Sequence, residues 1–311
     1  MISLSQSILA TLAYSDIFDY PLTEEEIYRW LVETTDWEIN GNQNNSKATK
    51  VSPTDLKNNL SLLIKNKQIE SLGDYYFLSA RKHIIQVRLS HLKPSQEKHA
   101  IAQKAGKILA KIGWIQMVGI TGSLAMNNCQ KNDDVDLLIV TQNNRLWLVR
   151  PLATLLLLLS GLKVRRFGEE RVKNKLCLNI FMEEGNLLVD KHNLFTAHEI
   201  AQIVPIYQNG NSYSKLINSN QWVNRFLVNH TLPTKLNETS LPGVSYINIL
   251  IYYLNRLFHL MQQKYMQKKQ TKEVVHLHHA SFHPNILDNT IKNSFLTRLS
   301  TINKIAIGRV E

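Results

Sequence analysis

The stretch that decides the reading is Val118–Thr141, VGITGSLAMNNCQKNDDVDLLIVT. An apolar run from Ile115 to Thr121 reads as a strand and leads into Gly122-Ser123. Leu124 to Asn128 can start a short helix, and Val135 to Thr141 reads as a second strand. Asp134 and Asp136 open that strand. The two-residue period of a strand puts both side chains on one face. Two carboxylates so placed can share divalent cations. Magnesium is a hard ion that takes one or two carboxylates together with phosphate oxygens. Gly122 allows the backbone a close approach to a phosphate. The Ser123 hydroxyl and the N–H groups of the following turn can hold phosphate oxygens. The plainer alternative for Asp133, Asp134 and Asp136 is a solvated turn entering a strand, since Asp is common in turns.

Downstream, Asn144 to Ser160 reads as an apolar helix stopped by Gly161, and Leu176 to Met182 as a further strand. Alternating strands and helices predict an α+β core, a small mixed sheet flanked by helices, over 114–200. Leu146 to Leu162 is the most apolar stretch, but Arg150 and Pro151 interrupt it. A spanning helix needs about 20 apolar residues, so a buried helix is expected and no membrane partner.

Residues 1–80 predict a smaller unit. Leu4, Ile8 and Leu12 have helical spacing. Thr23 and Glu26 form a capping box, with Leu22 and Ile27 as its hydrophobic staple and a helix to about Glu33. Ser52-Pro53 starts a helix with Leu56, Leu60, Leu63 and Ile64 on one face. Ile69–Leu72 and Tyr75–Leu78 flank Gly73-Asp74 as a hairpin. Three helices and a hairpin give the order of a winged helix-turn-helix. Residues 81–113 read as a helical connector broken near Pro94, and 201–311 as a helical C-terminal region.

The chain has 311 residues and a formal net charge of +11. Residues 1–80 carry 6 basic against 11 acidic residues, whereas 201–311 carry 12 against 4. Phosphate contacts dominate DNA affinity, so residues 1–80 are better suited to protein contact or packing than to DNA, with DNA contact kept as an expectation. The basic C-terminal third suits an anionic partner such as RNA, or is simply a solvated face. Two cysteines, Cys129 and Cys177, cannot build a disulfide framework and fit a reducing compartment. The N-terminus lacks a basic n-region and makes a poor signal peptide. A cytoplasmic protein is the expectation.

Gly-Ser followed by Asp-x-Asp in strand–helix–strand context resembles the nucleotidyltransferase superfamily of DNA polymerase beta, and especially its minimal bacterial domains. The wider chain resembles bacterial proteins that carry such a domain between a winged-helix N-terminus and a helical C-terminus. The resemblance implies that Gly122 and Ser123 contact the triphosphate of a nucleoside triphosphate, ATP being the expected one. It implies that Asp134 and Asp136 bind two Mg²⁺ ions. A nucleoside monophosphate would then pass to an acceptor hydroxyl or amine. Members of the superfamily usually carry a third carboxylate on a later strand. Here the matching position is Asn179, an uncharged amide that can ligate but cannot act as a base. Glu183, Glu184 and Asp190 are outside substitutes. The departure admits a second expectation, a nucleotide-binding regulator with impaired catalysis.

Among nearby basic groups, Arg150 and Lys175 are the candidates for phosphate contact, with Arg145, Arg165, Arg166 and Lys173 in reserve. Arg150 interrupts an apolar helix, so it must be paired or face a cleft. His198 could position a substrate or serve as a base, or simply pack. His276, His278, His279 and His283 cluster in the tail without a cysteine beside them, a weak metal-site pattern.

Overall fold

The computed structural model describes residues 2–38, 51–166, 168–230, 246–267, 274–281 and 286–307. It is an α+β structure with two sheets. His283 and the polar run 39–50 lie outside the described residues.

The first unit contains α1 (Leu4–Asp16), β1 (Leu22–Thr23), α2 (Glu24–Arg29), α3 (Pro53–Lys65), β2 (Ile69–Leu72) and β3 (Tyr75–Leu78). The cap signals act as expected. The Thr23 side chain accepts from the Glu26 N–H, and the Glu26 side chain accepts from the Thr23 N–H. The Ser52 hydroxyl accepts from the Asp55 N–H, with Pro53 in the first turn. The strands form an antiparallel sheet in the order β1-β3-β2, with Gly73 at φ +59° in the tight turn. Ile8, Leu12, Leu22, Ile27, Leu56, Leu60 and Leu63 fill its core. The second helix stops at Arg29, short of Glu33. The chain leaves it to bridge Val32 to Leu227, and the Val32 N–H donates to Thr11 Oγ1.

α4 (Ile84–Leu109) runs unbroken through Pro94. An interior proline removes a hydrogen bond and costs about 3 kcal/mol. Tertiary anchoring offsets it: Ser95, Lys98, Ala102, Ala105, Gly106 and Leu109 of this helix are all buried. The region expected to be a connector is thus a wall of the main core.

The main sheet is built from β4 (Ile115–Ile120), β5 (Val135–Thr141), β6 (Leu176–Glu183), β7 (Val204–Gln208), β8 (Val274–Val275) and β9 (His279–Ser281). Its order is β7-β4-β5-β6-β9-β8, and only β5 and β6 are parallel. The region read as mostly helical therefore supplies both edges. The helices are α5 (Gly122–Ala125), α6 (Leu146–Leu159), α7 (Leu194–Ala201), α8 (Ser212–Ser219), α9 (Tyr246–Gln267) and α10 (Ile286–Ile307). α8 is followed by a 3₁₀ turn at Gln221–Arg225.

β5 alternates strictly. Val135, Leu137 and Ile139 pack on α4 and α6, against Ala105, Leu109, Trp147, Val149 and Ala153. Leu138 and Val140 join Met117, Met182, Ile203 and Leu216 on the other face. By that alternation Asp136 belongs to the second face, away from α6. A third cluster seats the first unit on the rest: Ala10, Tyr14, Trp30 and Trp37 meet Ala197, Trp222, Phe226 and Phe295. Its polar counterpart is Asp16, whose carboxylate is held by Arg81 and Arg298, each at 2.6 Å. Among the described residues no helix is long and apolar enough to cross a membrane.

Candidate active site

Strand β4 ends where the Thr121 N–H donates to the Asp136 carbonyl, 3.1 Å away. The next residue, Gly122, has φ +63°. A Cβ there would stand 3.1 Å from Asp136 Oδ2. Both features call for glycine: the left-handed backbone, and a carboxylate pressed against the turn. Ser123 follows on the exposed side of the turn, its hydroxyl 3.1 Å from Cys129 Sγ. α5 is only four residues long. Its macrodipole is therefore slight, and what it offers an anion is individual N–H groups.

Asp134 Oδ2 accepts from Arg165 at 2.7 Å. The Lys163–Arg165 segment is held beside the start of β6 by reciprocal backbone bonds with Leu176, which places Arg165 over Asp134. Asp133 behaves differently. Its carboxylate accepts from the Gln130 N–H and closes its own turn.

Across the parallel pair, Asp136 stands opposite Cys177. One ligand atom from each of Asp134, Asp136 and Cys177 falls within 4.8 Å of the others. Burial is the main force that pushes the Asp136 carboxyl up to about 7, and the negative Asp134 adds to it; the Cys177 thiol, a hydrogen-bond partner, and Arg165 pull the other way. The thiol is itself held neutral, by burial first and then by the two aspartates. Glu199, on α7, belongs to the same field. Burial and the charge of Asp136 push it up to about 7. Sequence reasoning passed over both Cys177 and Glu199. Cys177 could have been found only from the pairing register, and Glu199 only from the path of α7.

The remaining candidates fall elsewhere. Asn179 is buried two residues beyond Cys177, at an irregularity where Leu137 pairs with Leu178 but Leu138 pairs with Ile180. Leu178 packs in one core and Ile180 in the other, so the bulge at Asn179 resets the alternation. Its Nδ2 has no hydrogen-bond partner. The residue paired with Asp136 in the register is Cys177, and Asn179 lies two residues further along β6. Arg150 is not brought to the aspartates: it donates to Gln262 Oε1 on α9 at 3.0 Å, on the α6 side of the sheet. The Lys175 ammonium pairs with Glu169, while its carbonyl accepts from the Val135 N–H. Glu183 lies at the far end of β6, bound to His278 at 2.7 Å, and Glu184 binds Lys215. His198 is buried and stacked on Tyr14, ring centres 4.0 Å apart. Burial pushes it down to about 3, so it is a neutral packing residue. Among the described residues the histidines form no group able to share a metal ion.

The entrances to both site strands are tied together behind the aspartates. Lys98, buried in α4, donates to Asn174 Oδ1 at 2.7 Å and to the Lys131 carbonyl at 3.2 Å. The Asn174 N–H donates in turn to the Asp133 carbonyl. No protein-family model, characterised protein or solved structure matches the chain.

Proposed function

We propose that the protein binds a nucleoside triphosphate with Mg²⁺ at Gly122, Ser123, Asp134 and Asp136, and transfers a nucleoside monophosphate to an acceptor hydroxyl or amine. On this reading the core is a nucleotidyltransferase domain and residues 1–80 a winged-helix-like unit that contacts a protein or DNA. One observation carries the proposal. The Gly122 backbone lies directly against the Asp136 carboxylate, with Asp134 close by, just before β5. A phosphate on the Gly122-Ser123 turn and a cation on the two aspartates would therefore be neighbours.

The donor set fits a hard divalent ion. Burial and the neighbouring negative Asp134 raise the cost of ionising Asp136, and a divalent charge relieves it. When bound, Mg²⁺ would neutralise phosphate charge and favour ionisation of the acceptor oxygen. The chain's own residues would bind and orient. Ser123 and the turn N–H groups would hold phosphate oxygens, and Arg165, exposed beside Asp134, could turn its guanidinium to the nucleotide.

A second reading, nucleotide binding without transfer, is favoured by Cys177. A neutral thiol faces Asp136 where a third carboxylate would complete the site, and a soft sulfur is a poor magnesium ligand. The test is transfer from an α-labelled triphosphate mixture in cell extract, wild type against Asp134→Ala/Asp136→Ala. Label on a macromolecule or metabolite with wild type alone supports the enzyme. Aspartate-dependent nucleotide binding without transfer supports the second reading.

A further inference from the structure

The helix α9 is inside out. Its polar residues Asn248, Asn255 and Gln262, spaced seven apart, face α6. Asn248 Oδ1 accepts from Arg145 at 2.8 Å, and Asn255 Oδ1 from the Trp147 N–H at 2.9 Å. Gln262 donates to the Trp147 carbonyl at 2.7 Å. This amide seam fixes the register of α9 on α6, as single polar residues do in coiled coils. Phe258 packs on the main core, but many of the large apolar residues are left outside. Leu250, Tyr253, Leu257 and Met261 of α9, and Leu155 and Leu159 of α6, are each more than half exposed. A surface helix normally has the opposite arrangement.

We infer that this two-helix face is covered by the same face of a second copy of the chain, in an isologous dimer. Three observations favour that occupant. The first is extent. Eleven exposed large apolar residues run along α6 and α9. Seven of them are more than half exposed, and together they make a patch extending over both helices. The largest patch on a typical monomer is about 300–600 Å², and a stable interface needs about 800 Å² from each partner. The second is charge. Neither helix contains an acidic residue, and the exposed cations of α9 among the described residues are Arg256 and Lys264. Tyr and Met with little charge are typical of interface cores. The third is the polar side of α9. A helix lying in a bilayer surface carries a strongly charged polar face beside its apolar one. Here the polar face is neutral amide and is turned into the protein, so a lipid surface is the poorer occupant. A two-fold axis with antiparallel α9 helices would also keep the two Lys264 ends apart.

The full chain would be measured by light scattering and sedimentation velocity across a hundredfold concentration range. The expected mass is twice the 35.8 kDa of one chain. The Leu250→Asp/Leu257→Asp variant should have the single-chain mass with unchanged circular dichroism, because both side chains are outside the core. A wild type of single-chain mass at every concentration would overturn the inference. So would a double variant that remains dimeric, or a single-chain wild type that co-sediments with phosphatidylglycerol vesicles.

Discussion

Lys98 Nζ lies 2.7 Å from Asn174 Oδ1 and 3.2 Å from the Lys131 carbonyl, and these two part-buried bonds join the loop before β5 to the loop before β6. Asp134 and Asp136 follow the first loop and Cys177 follows the second. The spacing of the acidic cluster therefore depends on a lysine almost forty residues earlier. Lys98→Met would keep much of the apolar stem but remove the donor. The Lys131 carbonyl and Asn174 Oδ1 would each lose a partner, at about 0.5–1.5 kcal/mol apiece for a part-buried hydrogen bond. The denaturant midpoint should fall measurably with an unchanged slope. An unaltered midpoint would show that water replaces the lysine without loss.

Gly122→Ala should be damaging for two separable reasons. A non-glycine residue at φ +63° costs roughly 1–2 kcal/mol. The added Cβ also meets Asp136 Oδ2 at 3.1 Å. Gly161→Ala is the control, since Gly161 has φ +78° with nothing within 4 Å. Both variants should lose about the same backbone stability in denaturant titrations. Only Gly122→Ala should also weaken Mg²⁺-dependent nucleotide binding, by about tenfold, or ~1.4 kcal/mol. Equal binding by the two variants would remove Gly122 from the site.

The pH dependence of stability should carry the signature of Asp136. Its carboxyl is raised from 3.8 to about 7. A group raised on folding contributes stability that is full below the unfolded value and is lost as pH rises through the folded one. In chelator, the wild type should thus lose stability between about pH 4 and 7 from this group. Glu199 acts in the same direction, so the reading is the difference between wild type and Asp136→Asn. That difference should close as pH falls towards 4 and widen towards 7. Mg²⁺ favours the ionised carboxylate and should raise the wild-type melting temperature most above pH 7. A difference that is flat with pH would refute the assignment.

Cys177→Asp tests what the thiol replaces. A third carboxylate opposite Asp136 adds like-charge repulsion in an already buried pair. Without a cation the variant should melt below wild type. With Mg²⁺ the order should reverse, and cation affinity should rise by about tenfold (~1.4 kcal/mol). Calorimetric scans with and without Mg²⁺ decide it. No reversal would mean that residue 177 does not face the cation.

Local chemistry was legible where neighbouring residues determine the outcome. The Thr23–Glu26 box, Pro53 in the first turn, the Gly73-Asp74 hairpin and the Val135–Thr141 strand all depend on short-range signals. Long-range facts were not legible. β7 contains Pro205, which argues against a strand, yet an edge strand tolerates the missing N–H. β9 is three residues long and exists through its pairing with β6. In the site, the Asp134–Asp136 pair follows from strand period alone. That Cys177 stands opposite Asp136 follows from the pairing register of β5 and β6, which no periodicity reveals. Arg150 was correctly singled out as needing a partner, but its partner Gln262 comes from α9, more than a hundred residues away.

The central claim is that Asp134 and Asp136 present a cation to a nucleotide held at Gly122-Ser123. The most direct measurement is isothermal titration of ATP into the protein with Mg²⁺ and with chelator, for wild type and for Asp134→Asn/Asp136→Asn. The account predicts saturable binding to wild type with Mg²⁺, loss of binding in chelator, and loss in the double variant at unchanged circular dichroism. Binding that survives both chelator and the double substitution would contradict it. So would the absence of binding to wild type by ATP and by the other three ribonucleoside triphosphates.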